Sequence, residues 1–217
     1  MAEFGASQAE LDALQAQCDA TRCAQKELDA QVDQFYRDHA LIPSRSSAGV
    51  NLTVDVPMVV RRNRLRVRPV AQQVELVAGE RGYDGEETLG MALALVQTAL
   101  AYKKPPVQDG DRKIWGFYPP PRVLEVGSGD CDTKSALLAA ILRSFSGVRL
   151  VGVQIPGHYL IGVDRVPRSW EAFVEYRGVP YVLIEPAGPG MLPPGSISET
   201  SRSALATMLA VQISPLY

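Results

Sequence analysis

The chain has 217 residues, 46% hydrophobic and 21% charged, enough for one sizeable core and typical of a globular fold. A net charge of -2 gives no electrostatic footprint for nucleic acid or an anionic membrane surface, and no apolar run approaches the ~20 residues that span a bilayer. Three cysteines do not make a disulfide framework, and two histidines leave few partners for a nucleophile or a metal.

The opening "MAEFG" reads as a cloning remnant, which leaves open a leader or anchor removed ahead of it. Over residues 8–38, Leu11, Leu14, Cys18, Leu28, Val32 and Phe35 fall on three- and four-residue steps, with Thr21 and Gln25 as weak members. That spacing predicts one amphipathic helix with a single apolar seam, an arm docked on its own domain or a surface for self-association. On a continuous helix Cys18 and Cys23 point to different faces, so a bond between them is not expected; an intermolecular one through Cys18 remains open.

"IPSRSSAG" (42–49) reads as a linker. The expected division is therefore an N-terminal helical arm and linker over 1–45 and one domain over 46–217. "NLTVDVPMVVRRNRLRVRPV" (51–70) reads as extended, with Pro57 and Pro69 limiting its pairing. Its five arginines between 61 and 68 lack interleaved aromatics and read as a solvated edge or loop, not a nucleic-acid surface.

"EETLGMALALVQTALAYKK" (86–104) predicts a helix with Leu89, Leu93, Val96 and Leu100 as its buried stripe. "PPVQDGDRKIWGFYPPP" (105–121) is irregular and carries Trp115, Phe117 and Tyr118. "SALLAAILRSF" predicts a helix beginning near Asp130 and ending near Gly147. "VRLVGVQI", "YLIGVD", "AFVEY" and "PYVLIEP" follow as short strands separated by turn residues, the pattern of an antiparallel meander. A buried helix followed by such a meander predicts an α+β fold, the helix laid across one face of the sheet. Residues 186–198 read as a Gly/Pro-rich loop, and "TSRSALATMLAVQI" as a closing helix.

The chemistry gathers at "GSGDCDTKS". Cys131 stands in the first turn of a helix, where the dipole and free N–H groups favour a thiolate and could hold an oxyanion. Neighbouring carboxylates oppose that ionisation, so Asp130 reads as the N-cap and Asp132 as a first-turn residue turned away. His158, at the start of a strand after "VQIPG", is the candidate base. Glu185, ending a strongly apolar strand, needs a partner and is the candidate orienter of the imidazole. Asp164 competes for that role but lies roughly 20 Å along the histidine's own strand. No spacing suits zinc or calcium, so no metal or other cofactor is expected.

"GSGDCDTKSALLAAILRS", "VQIPGHYLIGV" and "YVLIEPA" together resemble the transglutaminase-like superfamily of papain-type thiol enzymes, in particular the bacterial transglutaminase-like cysteine proteinases. The resemblance covers roughly residues 86–187 and leaves 1–85 unexplained. It implies a papain/transglutaminase-like core, with Cys131 as nucleophile, His158 as base and Glu185 as orienter. It also implies a thioester intermediate on a peptide or glutamine amide, with proteolysis the leading outcome, transglutamination also possible, and a protein or peptide as substrate. Glu185 departs from the commoner aspartate. No Trp or Gln before Cys131 fits the oxyanion hole, which leaves the Cys131 N–H and a group from residues 115–118. A bacterial periplasm or cell envelope would follow if a leader has been removed, and the cytoplasm otherwise. The alternative is a non-catalytic module that uses the scaffold or the N-terminal helix to bind a partner.

Overall fold

The computed structural model, which describes residues 4–47, 49–188, 190–207 and 210–216, begins with two helices where the periodicity predicts one. Gln8–Thr21 is started by a Ser7/Glu10 capping box and stopped by Arg22 in the left-handed region (φ 54°). The chain turns there, and Gln25–Asp38 begins a second helix. The turn brings Cys18 and Cys23 within a Cα–Cα distance of 5.0 Å, and the two form a disulfide. This corrects the expectation of divergent thiols, which assumed an unbroken helix; Cys18 is not available for an intermolecular bond.

The α+β chain, 44% helical and 23% strand, divides into two units: Met1–Asp55 with Pro105–Phe117, and Val56–Lys104 with Tyr118–Tyr217. The first unit runs to Asp55, and residues 105–117 belong to it. In that unit the expected linker is instead a hairpin, Leu41–Ser46 against Gly49–Val54. Arg112–Lys113 pairs with both Ala6–Ser7 and Gln108–Asp109, which ties the returning segment to the start of the chain.

The second unit opens with helices Val56–Asn63 and Arg68–Arg81, so the expectation of an extended 51–70 fails beyond Val54. Pro69 sits in a first helical turn, where a missing N–H costs nothing. Val56, Val59, Val60 and Asn63 form a buried face at helical spacing, and Arg61, Arg64, Arg66 and Arg68 are exposed. Helices Gly85–Ala99 and Pro120–Val126 follow.

Cys131–Leu142 is the centre of this unit. Every residue from Thr133 to Leu142 is buried, Thr133, Lys134 and Ser135 included, and from Ala136 to Leu142 the helix is apolar on every side. Four helices, Val56–Asn63, Arg68–Arg81, Gly85–Ala99 and Pro120–Val126, pack on it, and so does strand His158–Asp164. The sheet is antiparallel throughout, in spatial order Phe173–Tyr176, Val179–Ile184, His158–Asp164, Leu150–Ile155 and Gln212–Pro215. Its first four strands are the predicted ones but not the predicted meander: Val179–Ile184, not Phe173–Tyr176, pairs with His158–Asp164, because the segment 165–172 is long enough to carry the chain past that place to the sheet edge. The fifth corrects the predicted closing helix: among the described residues of that segment only Glu199–Ala206 is helical, and Gln212–Pro215 is an edge strand. Among the described residues no helix is long and apolar enough to cross a membrane.

Candidate active site

Three local decisions bring Cys131, His158 and Glu185 together. Helix Pro120–Val126 ends on Gly127, whose left-handed φ of 68° lets the chain reverse. Ser128–Gly129 then forms a short parallel bridge with Ala101–Tyr102, and Asp130 leads into the helix with Cys131 as its first residue. Ser135, one turn further on, donates from Oγ to the Tyr159 carbonyl at 3.2 Å. Residues four apart share a helix face, so the face that touches the strand beside His158 also carries Cys131.

The sheet register supplies the other pair. Ile155 and His158 flank a two-residue turn of Pro156 and left-handed Gly157, which places His158 at the very start of its strand. Glu185 stands one residue past the Ile184–Ile161 pair, and His158 three residues before Ile161. The two side chains therefore lie on one face as diagonal neighbours, and Glu185 Oε1 meets His158 Nε2 at 2.8 Å. The second carboxylate oxygen accepts the Ser198 N–H at 2.7 Å. With Nε2 engaged, Nδ1 is the ring nitrogen left for the thiol, and the Cys131 and His158 side chains hydrogen-bond.

The electrostatics follow from this chain of contacts. Burial lowers the proton affinity of His158, but hydrogen bonds to Cys131 and Glu185 and their charges outweigh it, and the imidazole is raised to about 9. Burial acts upward on Glu185, and the bonds from His158 and the Ser198 N–H hold its carboxyl below the usual range. Cys131 is partly exposed and is the free cysteine. Asp164, the competing orienter, is engaged by Arg149 at 2.5 Å instead.

Asp130 and Asp132 depart from expectation. Asp130 holds the N-cap position but makes no side-chain capping bond. Asp132 is not turned away: it accepts the Thr133 N–H at 2.9 Å and hydrogen-bonds Asp130. Burial first, then the bond to Asp130 and its charge, push the Asp132 carboxyl up to about 7. Near neutrality the Asp132 carboxyl is therefore about half protonated, which lessens its opposition to a thiolate.

Four contributors escaped sequence reasoning. Tyr102 is half-exposed, and its phenol is raised by burial and by the charges of Cys131, Asp130 and Asp132. Ser198 supplies the second bond to Glu185. Gln97 and Lys134 hold the main chain behind Glu185. Only Lys134 left a trace in the sequence, a charge inside "CDTKSALLAAIL". Trp115 and Phe117, considered for the oxyanion hole, belong to the first unit.

No family model, no curated protein and no solved structure matches the chain.

Proposed function

We propose that the chain is a thiol-dependent hydrolase of the transglutaminase-like, papain-type class, with a papain-like core, acting on peptide amide bonds. The observation that carries this reading is the position of His158, hydrogen-bonded to Cys131 on one side and to Glu185 on the other. An imidazole raised to about 9 keeps its proton at neutral pH, the state that a thiolate–imidazolium pair requires.

In the first half-reaction the Cys131 sulfur attacks the amide carbonyl carbon, and the carbonyl electrons move to oxygen. N–H groups of the helix's first turn are the available donors for that oxyanion. As the C–N bond breaks, His158 gives its proton to the departing amine, leaving a thioester. In the second, His158 takes a proton from water, the hydroxide oxygen attacks the thioester, and the thiolate leaves with the acyl group as a carboxylic acid. A substrate amine in place of water would give acyl transfer. Glu185 keeps the imidazole oriented and balances its charge throughout.

The test is the rate of Cys131 alkylation by iodoacetamide against pH, read by mass spectrometry, in wild type and His158→Ala. Fast labelling well below the ordinary thiol pKa of ~8.5, lost in the variant, is the expected result. Slow labelling that rises only near pH 8.5 and ignores the substitution overturns the reading and favours a binding module.

A further inference from the structure

Lys134 lies in the first turn of the cysteine helix, three residues after Cys131, and is fully buried. No carboxylate among the described residues pairs with it. Its ammonium donates instead to three main-chain carbonyls: Ala187 at 2.8 Å, Leu100 at 3.1 Å and Gln97 at 3.5 Å. An ammonium has three N–H groups, so each finds an acceptor. Gln97 and Leu100 belong to the end of helix Gly85–Ala99, where carbonyls lack intrahelical partners and the dipole is negative. The third acceptor, Ala187, is two residues beyond Glu185.

Gln97 reinforces the same place. Its Nε2 donates to the Glu185 carbonyl and to the Leu192 carbonyl, each at 3.0 Å. Gly188 follows in the left-handed region (φ +71°), and a Cβ there would stand 3.1 Å from the Gln97 carbonyl oxygen and 3.6 Å from Lys134 Nζ. The main chain at 185–188 is thus fastened to two helices at close approach. Burying an ammonium without a counter-charge is costly, and an apolar side chain would fill the space without that cost. Packing alone does not account for a lysine at this position.

We propose that Lys134 is a positioning residue for the candidate triad: it fastens the Glu185–Gly188 main chain to the helix that carries Cys131, and so fixes the reach of Glu185 to His158. The inference rests on the thiol-hydrolase reading above. It makes one helix the reference for both ends of the triad, since the element that presents the thiol also holds the segment bearing the carboxylate.

The experiment reads the Glu185–His158 pair directly, by NMR titration of the histidine ring protons. It uses full-length protein carrying Cys131→Ala, so that thiol chemistry plays no part. Into that background go Lys134→Met, which removes the three donors, and Gly188→Ala, which keeps the lysine and crowds the loop. The expected result is a His158 pKa lower by about one unit in Lys134→Met, a tenfold weaker hold on the proton, and a smaller fall in Gly188→Ala. Folded Lys134→Met with the parent titration, whatever its melting temperature, overturns the proposal. If Lys134→Met does not fold, an unchanged titration in Gly188→Ala overturns it instead. Failure of the thiol-hydrolase reading would show in the alkylation profile of wild type and leaves this titration unaffected, so the two failures are distinguishable.

Discussion

Replacing Glu185 by Gln removes one charge from the site and keeps its shape: the amide oxygen still accepts from His158 Nε2 or from the Ser198 N–H. In wild type, burial works against the imidazolium, and bonds to Cys131 and Glu185 carry His158 from 6.5 to about 9. That elevation favours the protonated ring by roughly 3 kcal/mol. Both side chains are well covered, at 20% and 8% exposure, so solvent screening is small. An opposite charge at hydrogen-bond distance accounts for about 1 to 3 pK units. His158 in Glu185→Gln is therefore expected to titrate one to two units lower, a loss of about 1.4 to 2.7 kcal/mol.

The same charge shapes stability against pH. Glu185 is held below the usual carboxyl range, so its contribution is present above ~4.5 and lost as pH falls through its folded value. His158 is raised, so its contribution is complete below ~6.5 and fades as pH rises through about 9. Urea melts should then place the variant about 1 to 3 kcal/mol below wild type at pH 6, with the gap nearly closed at pH 10. The chain has two histidines, so two ring signals suffice for the NMR titration and His39 serves as internal reference. His158 still titrating near 9 in Glu185→Gln would refute the assignment of the elevation to the carboxylate.

Asp130→Asn should lower the Asp132 pKa from about 7 by roughly one unit, because burial, the leading cause, remains; carboxyl carbon NMR reads it, and no change would assign the whole shift to burial. Ser198→Pro suits the observed φ of -60° yet removes both the N–H that binds Glu185 and the hydroxyl that caps helix Glu199–Ala206. A loss of about 2 to 3 kcal/mol is expected, against about 1 kcal/mol for Ser198→Ala, which removes the hydroxyl with its cap and its weaker bond to Glu185 but keeps the N–H; equal losses in urea melts would mean that the N–H bond to Glu185 contributes nothing. Cys18→Ser with Cys23→Ser should cost about 2 kcal/mol in oxidised protein, as befits a short loop, and nothing relative to wild type measured in reductant.

The parts of the fold that sequence discloses are those with a strong local period or a continuous apolar run. "SALLAAILRSF" has no broad polar face and must be buried, and turn residues mark off four short antiparallel strands, though not the order in which the last two pair. The failures have local causes too. Pro57 and Pro69 read as strand breakers, but Pro69 occupies the first turn of Arg68–Arg81, and the buried face of the preceding helix, Val56, Val59, Val60 and Asn63, is short and half hidden among arginines. The turn at Arg22 has neither glycine nor proline to mark it. Strand Gln212–Pro215 is made by its neighbour Leu150–Ile155 more than by its own composition.

The site divides in the same way. Cys131, His158 and Glu185 could be picked out because each stands where a helix or strand begins or ends, positions where a polar residue is conspicuous. Asp132 could not be placed, since its state is set by burial and by the neighbouring Asp130 and not by residue type. Ser198 acts on Glu185 through its main-chain N–H, a group every residue but proline owns.

Chain order gives the site a schedule. Cys131 precedes its imidazole and its carboxylate, the Ser198 N–H that engages the carboxylate comes later still, and the edge beside Leu150–Ile155 stays open until Gln212–Pro215 has been made. At about 5 to 20 residues per second of synthesis, the thiol is translated some seconds before the groups that would activate it. A chain made only as far as the cysteine helix therefore carries the thiol without its partners, and the proposed pair can form only after Glu185 and the elements that hold it have been made.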